Sequence, residues 1–271
     1  RQEIVRCDAT TGKLVWRQTL DSPAATPVIQ SRALFVATRE GRILQMDPES
    51  GEVLRQASLP QRLMLPPGVD ERRPQLYQLS EHSNLYVVSM DTLECQEVFY
   101  IGHEAGTVQV PPVATHGCVF VVENVNSDSS RMHLVTTDDN GLGLMPAQDS
   151  IRLAGRVIAP PLVTGRRVVV VTDRGALYVF EVNKASGGEP VTIVAQTQPI
   201  HADSMFGYVL ADRGRLWIGD NRLTRYDVQH SRGAITRKWV RAAGDAFVAP
   251  MSLVGDLLIH ARRQQGLAGI S

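Results

Sequence analysis

This 271-residue sequence has no excess of charge of either sign. Its 28 lysines and arginines balance 28 aspartates and glutamates, so it lacks the positive field with which proteins attract nucleic acid or an anionic membrane. Paired arginines at 72–73, 166–167 and 262–263 are scattered along the chain, which is typical of solvated loop charges rather than of a phosphate-binding track. We therefore expect no nucleic-acid partner.

Cysteine is also scarce. Cys7, Cys95 and Cys118 are an odd number, with no CxxC spacing and no histidine at a ligand spacing. The pattern indicates neither a disulfide framework nor a zinc site.

Long hydrophobic runs are missing as well. The longest, at 118–122 and 176–180, suit buried strands and fall far short of the roughly 18 residues that a membrane helix needs, so we expect no membrane span. The sequence begins without methionine and without a signal peptide, which leads us to expect a processed form or a piece of a longer polypeptide.

What the sequence does contain is a repeat. The segment "RILQMDPESGEVLR" (42–55) echoes "EIVRCDATTGKLVW" (3–16): an alternating strand, an aspartate, a short turn that ends in glycine, and a second strand. An acidic marker residue returns about every 44 residues, and an aliphatic residue precedes each marker by four positions. The markers are Asp8, Asp47, Asp91, Asp138, Glu181 and Asp227, and the aliphatic residues are Ile4, Ile43, Val87, Leu134, Leu177 and Leu223.

A second pair of strands recurs upstream of the markers, as in "TPVIQSRALFVAT" (26–38) and "PPLVTGRRVVVVT" (160–172). Each repeat thus predicts four short antiparallel strands, the number in one blade of a β-propeller. We predict an all-β fold, a β-propeller of four-stranded antiparallel blades that forms a single domain over residues 1–271. A β-sandwich or an open β-solenoid is the alternative, but a sandwich would not repeat its marker six times.

The two ends of the chain bear on the number of blades. Counting strands, the chain opens on the second half of one blade, continues through five complete blades from Asp47 to Asp227, and closes with three strands of another. Pairing of the two partial blades would give six blades. Otherwise the chain is a fragment of a seven- or eight-bladed ring, and the spacing does not choose between these alternatives.

The best-kept copy, "DATTGKLVW" (8–16), resembles the repeats of quinoprotein-type, or PQQ-like, β-propellers. Alcohol and glucose dehydrogenases of that family bind pyrroloquinoline quinone, and non-enzymatic relatives include the lipoprotein propeller of outer-membrane assembly. The resemblance covers nearly the whole chain and implies a bacterial protein in the periplasm or outside the cell. The motif's tryptophan varies: Arg55 stands in its place in the second copy, and Trp239 comes two residues late in the sixth.

Three residues of this copy have physical roles that are structural. Trp16 suits a wedge between blades, with its N–H on a backbone carbonyl. Gly12 permits a positive φ, and Asp8 can accept hydrogen bonds from its own turn.

The chemistry of a quinone dehydrogenase is not evident in the residues. Such an enzyme would need a Ca²⁺ site beside the cofactor, a catalytic aspartate and, in many members, two adjacent cysteines, and no two cysteines are adjacent here. The stretch "NVNSDSS" (124–130) spaces polar residues as an EF-hand loop does, but Ser129 and Val135 stand where the glycine and the bidentate glutamate belong. The acidic "DDNG" (138–141) lies at the turn of a repeat. We predict no cofactor, no metal site and no catalytic residue.

The seven histidines form no HExxH motif. In "HADS" (201–204), His201, Asp203 and Ser204 are nearly contiguous, but neighbouring side chains on a strand point to opposite faces, which argues against a catalytic triad. No helix is predicted, and no phosphate-binding glycine loop precedes one.

We interpret the sequence as a non-catalytic platform for a protein partner or another ligand, within a larger protein. Longer connections are expected at 59–75, 123–132 and 183–189, and partners of propellers usually bind such loops. The alternatives are a quinone-dependent dehydrogenase or other periplasmic enzyme, and an extracytoplasmic sensor domain.

Overall fold

The computed structural model describes residues 2–70, 72–183, 189–212, 214–229, 234–242, 246–264 and 266–270. All regular secondary structure in these ranges is β-strand. The strands are β1 (Gln2–Cys7), β2 (Leu14–Leu20), β3 (Val28–Gln30), β4 (Ala33–Ala37), β5 (Arg42–Met46), β6 (Val53–Ser58), β7 (Gly68–Val69), β8 (Gln75–Leu79), β9 (Asn84–Ser89), β10 (Cys95–Tyr100), β11 (Val113–Thr115), β12 (Cys118–Asn124), β13 (Ser129–Thr136), β14 (Met145–Pro146), β15 (Ile151–Ala154), β16 (Leu162–Thr164), β17 (Arg167–Val171), β18 (Leu177–Val182), β19 (Val191–Gln196), β20 (Tyr208–Asp212), β21 (Arg215–Gly219), β22 (Arg222–Gln229), β23 (Ala234–Ala242), β24 (Ser252–Val254), β25 (Leu257–Arg262) and β26 (Gly266–Ile270).

The strands form antiparallel sheets in chain order, as the repeat predicts. The first sheet is the hairpin β1-β2, and four-stranded sheets follow in the orders β3-β4-β5-β6, β7-β8-β9-β10, β16-β17-β18-β19 and β20-β21-β22-β23. The fourth sheet, β11-β12-β13-β14, carries a further strand, β15, that also pairs with β13. The last sheet has three strands, β24-β25-β26. The predicted order along the chain, a half blade, five full blades and a three-stranded blade, is therefore confirmed.

The chain separates into two compact units. The first contains residues 1–121 and 133–149, and the second contains residues 122–132 and 150–271. Each unit has its own apolar cores.

In both units the cores lie between the faces of successive sheets. Phe35 of β4 and Ile43 of β5 pack with Leu76 of β8 in the first unit. Val169 of β17 packs with Leu216 of β21 in the second. The second and third strands of the four-stranded sheets are the most deeply buried, as expected of strands that are covered on both faces.

The repeat is visible in the backbone as a β-bulge. In five sheets the pairing shifts by one residue at the same place in the final hairpin. The outer-strand residues paired just before that shift are Trp16, Arg55, Glu97, Ala195 and Trp239. Trp239 therefore occupies the same register as Trp16 relative to the bulge, although it comes two residues late when counted from its glycine. The sixth hairpin is longer, but the bulge keeps the tryptophan in place.

The marker of the third repeat is corrected. Asp8 and Asp47 each directly follow a strand and accept hydrogen bonds from two backbone N–H groups of their own turns. In the third repeat Ser89 does this, accepting from Asp91 N and Thr92 N. Asp91 lies inside the turn, so the sequence-based marker is two residues too late.

Two other markers lie inside strands rather than in turns. Glu181 is within β18 and pairs with Thr192, and Asp227 is within β22 and pairs with Thr236. Both keep the register that Asp8 has relative to the bulge, but their strands continue beyond them before turning. The marker thus keeps its register in these two repeats, but Glu181 and Asp227 lie in strands and not in the turn as Asp8 does. Asp138, by contrast, accepts from Asn140 N and Leu142 N as a turn residue should.

Trp16 is the wedge that its sequence context predicts. Its Nε1–H donates to Pro48 O at 2.9 Å, and its ring lies over Gly51 in the turn of the next sheet. A Cβ on Gly51 would come within 2.7 Å of that ring. Gly51 thus serves two purposes, a positive φ and room for the tryptophan.

Candidate functional site

Two connections between sheets and one turn enclose a pocket in the first unit. Residues 59–67 join β6 to β7, residues 101–112 join β10 to β11, and residues 80–83 join β8 to β9. We call these three segments the connection surface. The pocket has a volume of about 340 Å³.

The pocket is an apolar recess with a few polar groups. Its lining residues are Met64, Leu65, Leu79, Ser80, Glu81, His103, Gly106, Val108 and Gln109. Met64 at its edge is 46% exposed, whereas Leu79 at its base is buried. An apolar recess with a few fixed polar groups is typical of sites that bind a small ligand or one large side chain of a partner.

Side-chain hydrogen bonds hold the first connection against the sheet. The buried Gln78 donates from Nε2 to Leu65 O at 3.0 Å, and Ser80 Oγ donates to Gln61 Oε1 at 2.6 Å. Glu81 N donates to Arg62 O at 2.9 Å. The recess is therefore already shaped before anything binds, which lowers the entropic cost of association.

His103 fixes the second connection to the same turn. Its Nε2 accepts a hydrogen bond from Ser83 N at 3.2 Å, and Ser83 Oγ donates to His103 O. Because Nε2 is an acceptor, the ring is neutral with its proton on Nδ1. This histidine acts as a brace for the loop, and no sequence motif indicates that role.

The structure agrees with one of the three predicted connections, contradicts the second, and does not describe most of the third. The stretch 59–75 does contain a long connection, and it forms part of the pocket. The stretch 123–132 is mostly β12 and β13, with only a short turn between them, so that prediction is wrong. In the stretch 183–189, residues 184–188 lie outside the described residues. The connection at 101–112 was missed, although its glycines at 102 and 106 are loop signals.

The residues of "HADS" (201–204) contact separate groups in the structure. His201 Nε2 hydrogen-bonds Asp220 Oδ2 at 2.7 Å, and Ser204 Oγ donates to Asp173 Oδ2 at 2.6 Å. Asp203 is exposed. The contiguous histidine and serine thus contact different carboxylates.

Both of these carboxylates also accept backbone hydrogen bonds. Asp220 Oδ1 accepts from Arg222 N, and Asp173 Oδ1 accepts from Arg156 N. They tie the connections of the second unit to neighbouring turns. Their geometry supports a structural role.

The donor set for a metal beside a quinone is not assembled in the described part of the chain. No group of three or more histidine, cysteine, aspartate or glutamate side chains there could hold a metal ion. In the EF-hand-like stretch, Asn126 Oδ1 instead accepts from Asp128 N and Ser129 Oγ, which closes a turn. These residues do not fit a Ca²⁺ site next to pyrroloquinoline quinone.

The thiols are free in the structure. Cys7 and Cys95 are exposed, and Cys118 is buried. Burial raises the pKa of the Cys118 thiol to about 11, with a small opposing effect from Arg73. Cys118 is therefore protonated at neutral pH and is a weak nucleophile. Among the described residues, no helix is long and apolar enough to cross a membrane.

Comparison with a family model identifies the repeats. Residues 1–98 match the model described as outer membrane protein assembly factor BamB. This segment carries PQQ-like β-propeller repeats. A search of curated protein sequences gave no match to the chain.

Solved structures give the fold of the chain beyond the matched segment. BamB from Moraxella catarrhalis aligns with 95% of this chain and 85% of its own, at 9% identity and a TM-score of 0.51. A functionally unknown protein from Desulfotomaculum acetoxidans DSM 771 aligns with 96% of this chain and 86% of its own, at 12% identity and a TM-score of 0.73.

A chain from a structure of the mitotic checkpoint complex aligns with 98% of this chain and 80% of its own, at 14% identity and a TM-score of 0.68. At these identities the likeness shows the fold alone, and that fold is a β-propeller.

Proposed function

We propose that this PQQ-like β-propeller is a non-catalytic platform whose protein partner binds at the connection surface. The observation that carries the proposal is the preformed apolar recess between residues 59–67 and 101–112. Met64 offers an exposed, flexible apolar side chain at its edge, of a kind that adapts to varied partners.

The kinds of protein it resembles support the same role. The matching family model is described as an outer membrane protein assembly factor, and a chain from a multiprotein checkpoint complex shares the fold. From the same resemblance we also propose a cellular location, the periplasm or the outside of a bacterial cell.

Site-specific photocrosslinking tests the proposal even though the partner is unidentified. A photoreactive amino acid is placed at Met64 in the full-length protein, expressed in the cells it comes from. Met145, in the same unit and 59% exposed, is the matched control position. Light should produce a discrete crosslinked product from position 64 and not from position 145.

The result is checked with purified components. The partner identified by mass spectrometry should bind the purified chain, and Met64→Lys should weaken that binding. The proposal fails if position 64 gives no light-dependent product, or if position 145 gives the same product with equal yield.

A further inference from the structure

The recess of the connection surface contains one acidic side chain in an otherwise uncharged lining. Among the described residues that line it, Glu81 is the only aspartate, glutamate, lysine or arginine. The histidine of the lining, His103, is neutral because its Nε2 accepts a hydrogen bond from Ser83 N. Glu81 is half-buried, so solvent screens its charge less than that of a fully exposed carboxylate. A cation that enters the recess would be attracted to it.

The structure holds Glu81 in place without neutralising it. Its backbone N–H donates to Arg62 O at 2.9 Å, which fixes the turn against the first connection. None of the ion pairs formed by the described residues includes Glu81. Arg62 is exposed, and its side chain does not line the recess. The carboxylate of Glu81 is therefore free to pair with a cation from outside the chain.

The apolar walls limit which cations would fit. Leu79 lies at the base, Met64 at the edge, and Val108 comes from the second connection. A small hydrated ion would make no use of these side chains. Lysine and arginine carry a flexible chain of methylene groups that can lie along an apolar surface while the charged end reaches a polar group. The recess, at about 340 Å³, has room for such a side chain.

Of these two side chains, arginine suits the recess better. Its planar guanidinium can donate to both oxygens of a carboxylate at once, and it is less strongly hydrated than an ammonium group. Arginine is also enriched among the residues that dominate the binding energy of protein interfaces. A wholly apolar side chain would instead remove water from the Glu81 carboxylate without supplying a counter-charge, which is unfavourable.

We propose that the protein partner inserts an arginine side chain into this recess. The guanidinium pairs with the Glu81 carboxylate, and the methylene groups pack against Met64, Leu79 and Val108. This inference rests on the proposed function and adds the chemistry of the partner to it. The partner then presents at least one exposed arginine in the segment that contacts the connection surface.

The recess is tested first without the partner. The probes are n-butylguanidinium and its neutral counterpart n-butylurea, titrated into the purified full-length protein while amide chemical shifts are measured by NMR. The cation should shift the amide signals of Glu81, Gly106 and Val108 saturably, and the urea should not. Glu81→Gln should abolish these shifts. Glu104→Gln is the matched control and should retain them, because Glu104 is an exposed carboxylate of the same surface that does not line the recess.

The same two variants then measure the contribution of the carboxylate to partner binding. Glu81→Gln should weaken the binding of the photocrosslinked partner at least about tenfold, and Glu104→Gln should weaken it less than about twofold. The partner's arginine nearest the crosslink is also replaced by glutamine. That change should weaken binding to the wild-type chain by a similar factor and have little further effect on Glu81→Gln.

Three outcomes would overturn the arginine proposal. They are equal shifts with the two probes or none with the cation, equal partner affinities of the Glu81→Gln and Glu104→Gln variants, and independent effects of the substitutions in the chain and in the partner. If Met64 still marks a crosslinking position when one of these is found, the connection surface remains the binding site and only the arginine is wrong. The absence of a crosslink at that position would overturn the proposed function, and this inference with it.

Discussion

A single glycine shows how closely successive sheets are fitted. Gly51 has a φ of 77° and lies under the Trp16 ring. Gly12, the equivalent residue of the first repeat, has a φ of 69°, and a Cβ added to it would meet no atom within 4 Å. The two residues therefore separate the cost of backbone conformation from the cost of a steric clash.

We expect Gly12→Ala to lower the free energy of unfolding by about 1 kcal/mol, the cost of a left-handed residue. Gly51→Ala should lower it by about 1–3 kcal/mol more, because the added methyl meets the tryptophan. In a Trp16→Ala background the excess should disappear, as urea denaturation of the four variants would show. Equal effects of the two glycine substitutions in the presence of Trp16 would contradict this account.

His260 makes the stability of the second unit sensitive to pH. The side chain is buried against Phe247. Burial lowers its pKa below the ordinary value of 6.5, and Arg262 lowers it further. The folded chain therefore resists a proton that the unfolded chain accepts, and stability falls as the pH drops below about 6.5.

The prediction is a difference between wild type and His260→Gln. The wild-type urea midpoint should fall more steeply between pH 7.5 and pH 5.5 than the midpoint of the variant. If both midpoints change in parallel, the titration of His260 has no part in the pH dependence.

At the level of elements, the turns depend on one acceptor each. Ser89 Oγ accepts from two backbone N–H groups in the third repeat, and Leu93 takes the positive-φ position that Gly12 and Gly51 hold elsewhere. Leu93 is buried in the core, so its apolar contacts offset its strained backbone.

We expect Ser89→Ala to destabilise the chain by about 1 kcal/mol through loss of these hydrogen bonds, and Asp91→Ala to change stability by less than about 0.5 kcal/mol as an exposed substitution. Thermal denaturation of both variants tests the corrected marker. A larger effect of Asp91→Ala than of Ser89→Ala would favour Asp91 as the marker of this repeat.

The strands could be predicted because their signals are local. Alternating and wholly apolar runs separated by turn residues locate the four strands of each repeat, and the buried second strands follow from their apolar sequence. The third marker was misplaced because a serine can replace an aspartate as a turn acceptor, and neither charge nor spacing reveals this exchange. The fourth sheet's extra strand β15 also has no local signal, since it pairs with a part of β13 that the repeat does not assign to it.

At the scale of the whole chain, the fold class followed from the repeat, but the candidate site did not. The recess needs three segments that are far apart in sequence, and residues such as Gln78 and His103 acquire their roles only when the sheets bring these segments together. Of the predicted connections, only 59–75 indicated this surface.

The most direct test of the account is the dissociation constant of the photocrosslinked partner for two variants of the full-length protein, Met64→Lys and Met145→Lys. Both replace an exposed methionine of the first unit with lysine. We expect Met64→Lys to weaken binding at least about tenfold, because a charge would enter the apolar recess, and Met145→Lys to leave it unchanged. Equal affinities of the two variants would show that the connection surface is not where this propeller binds its partner.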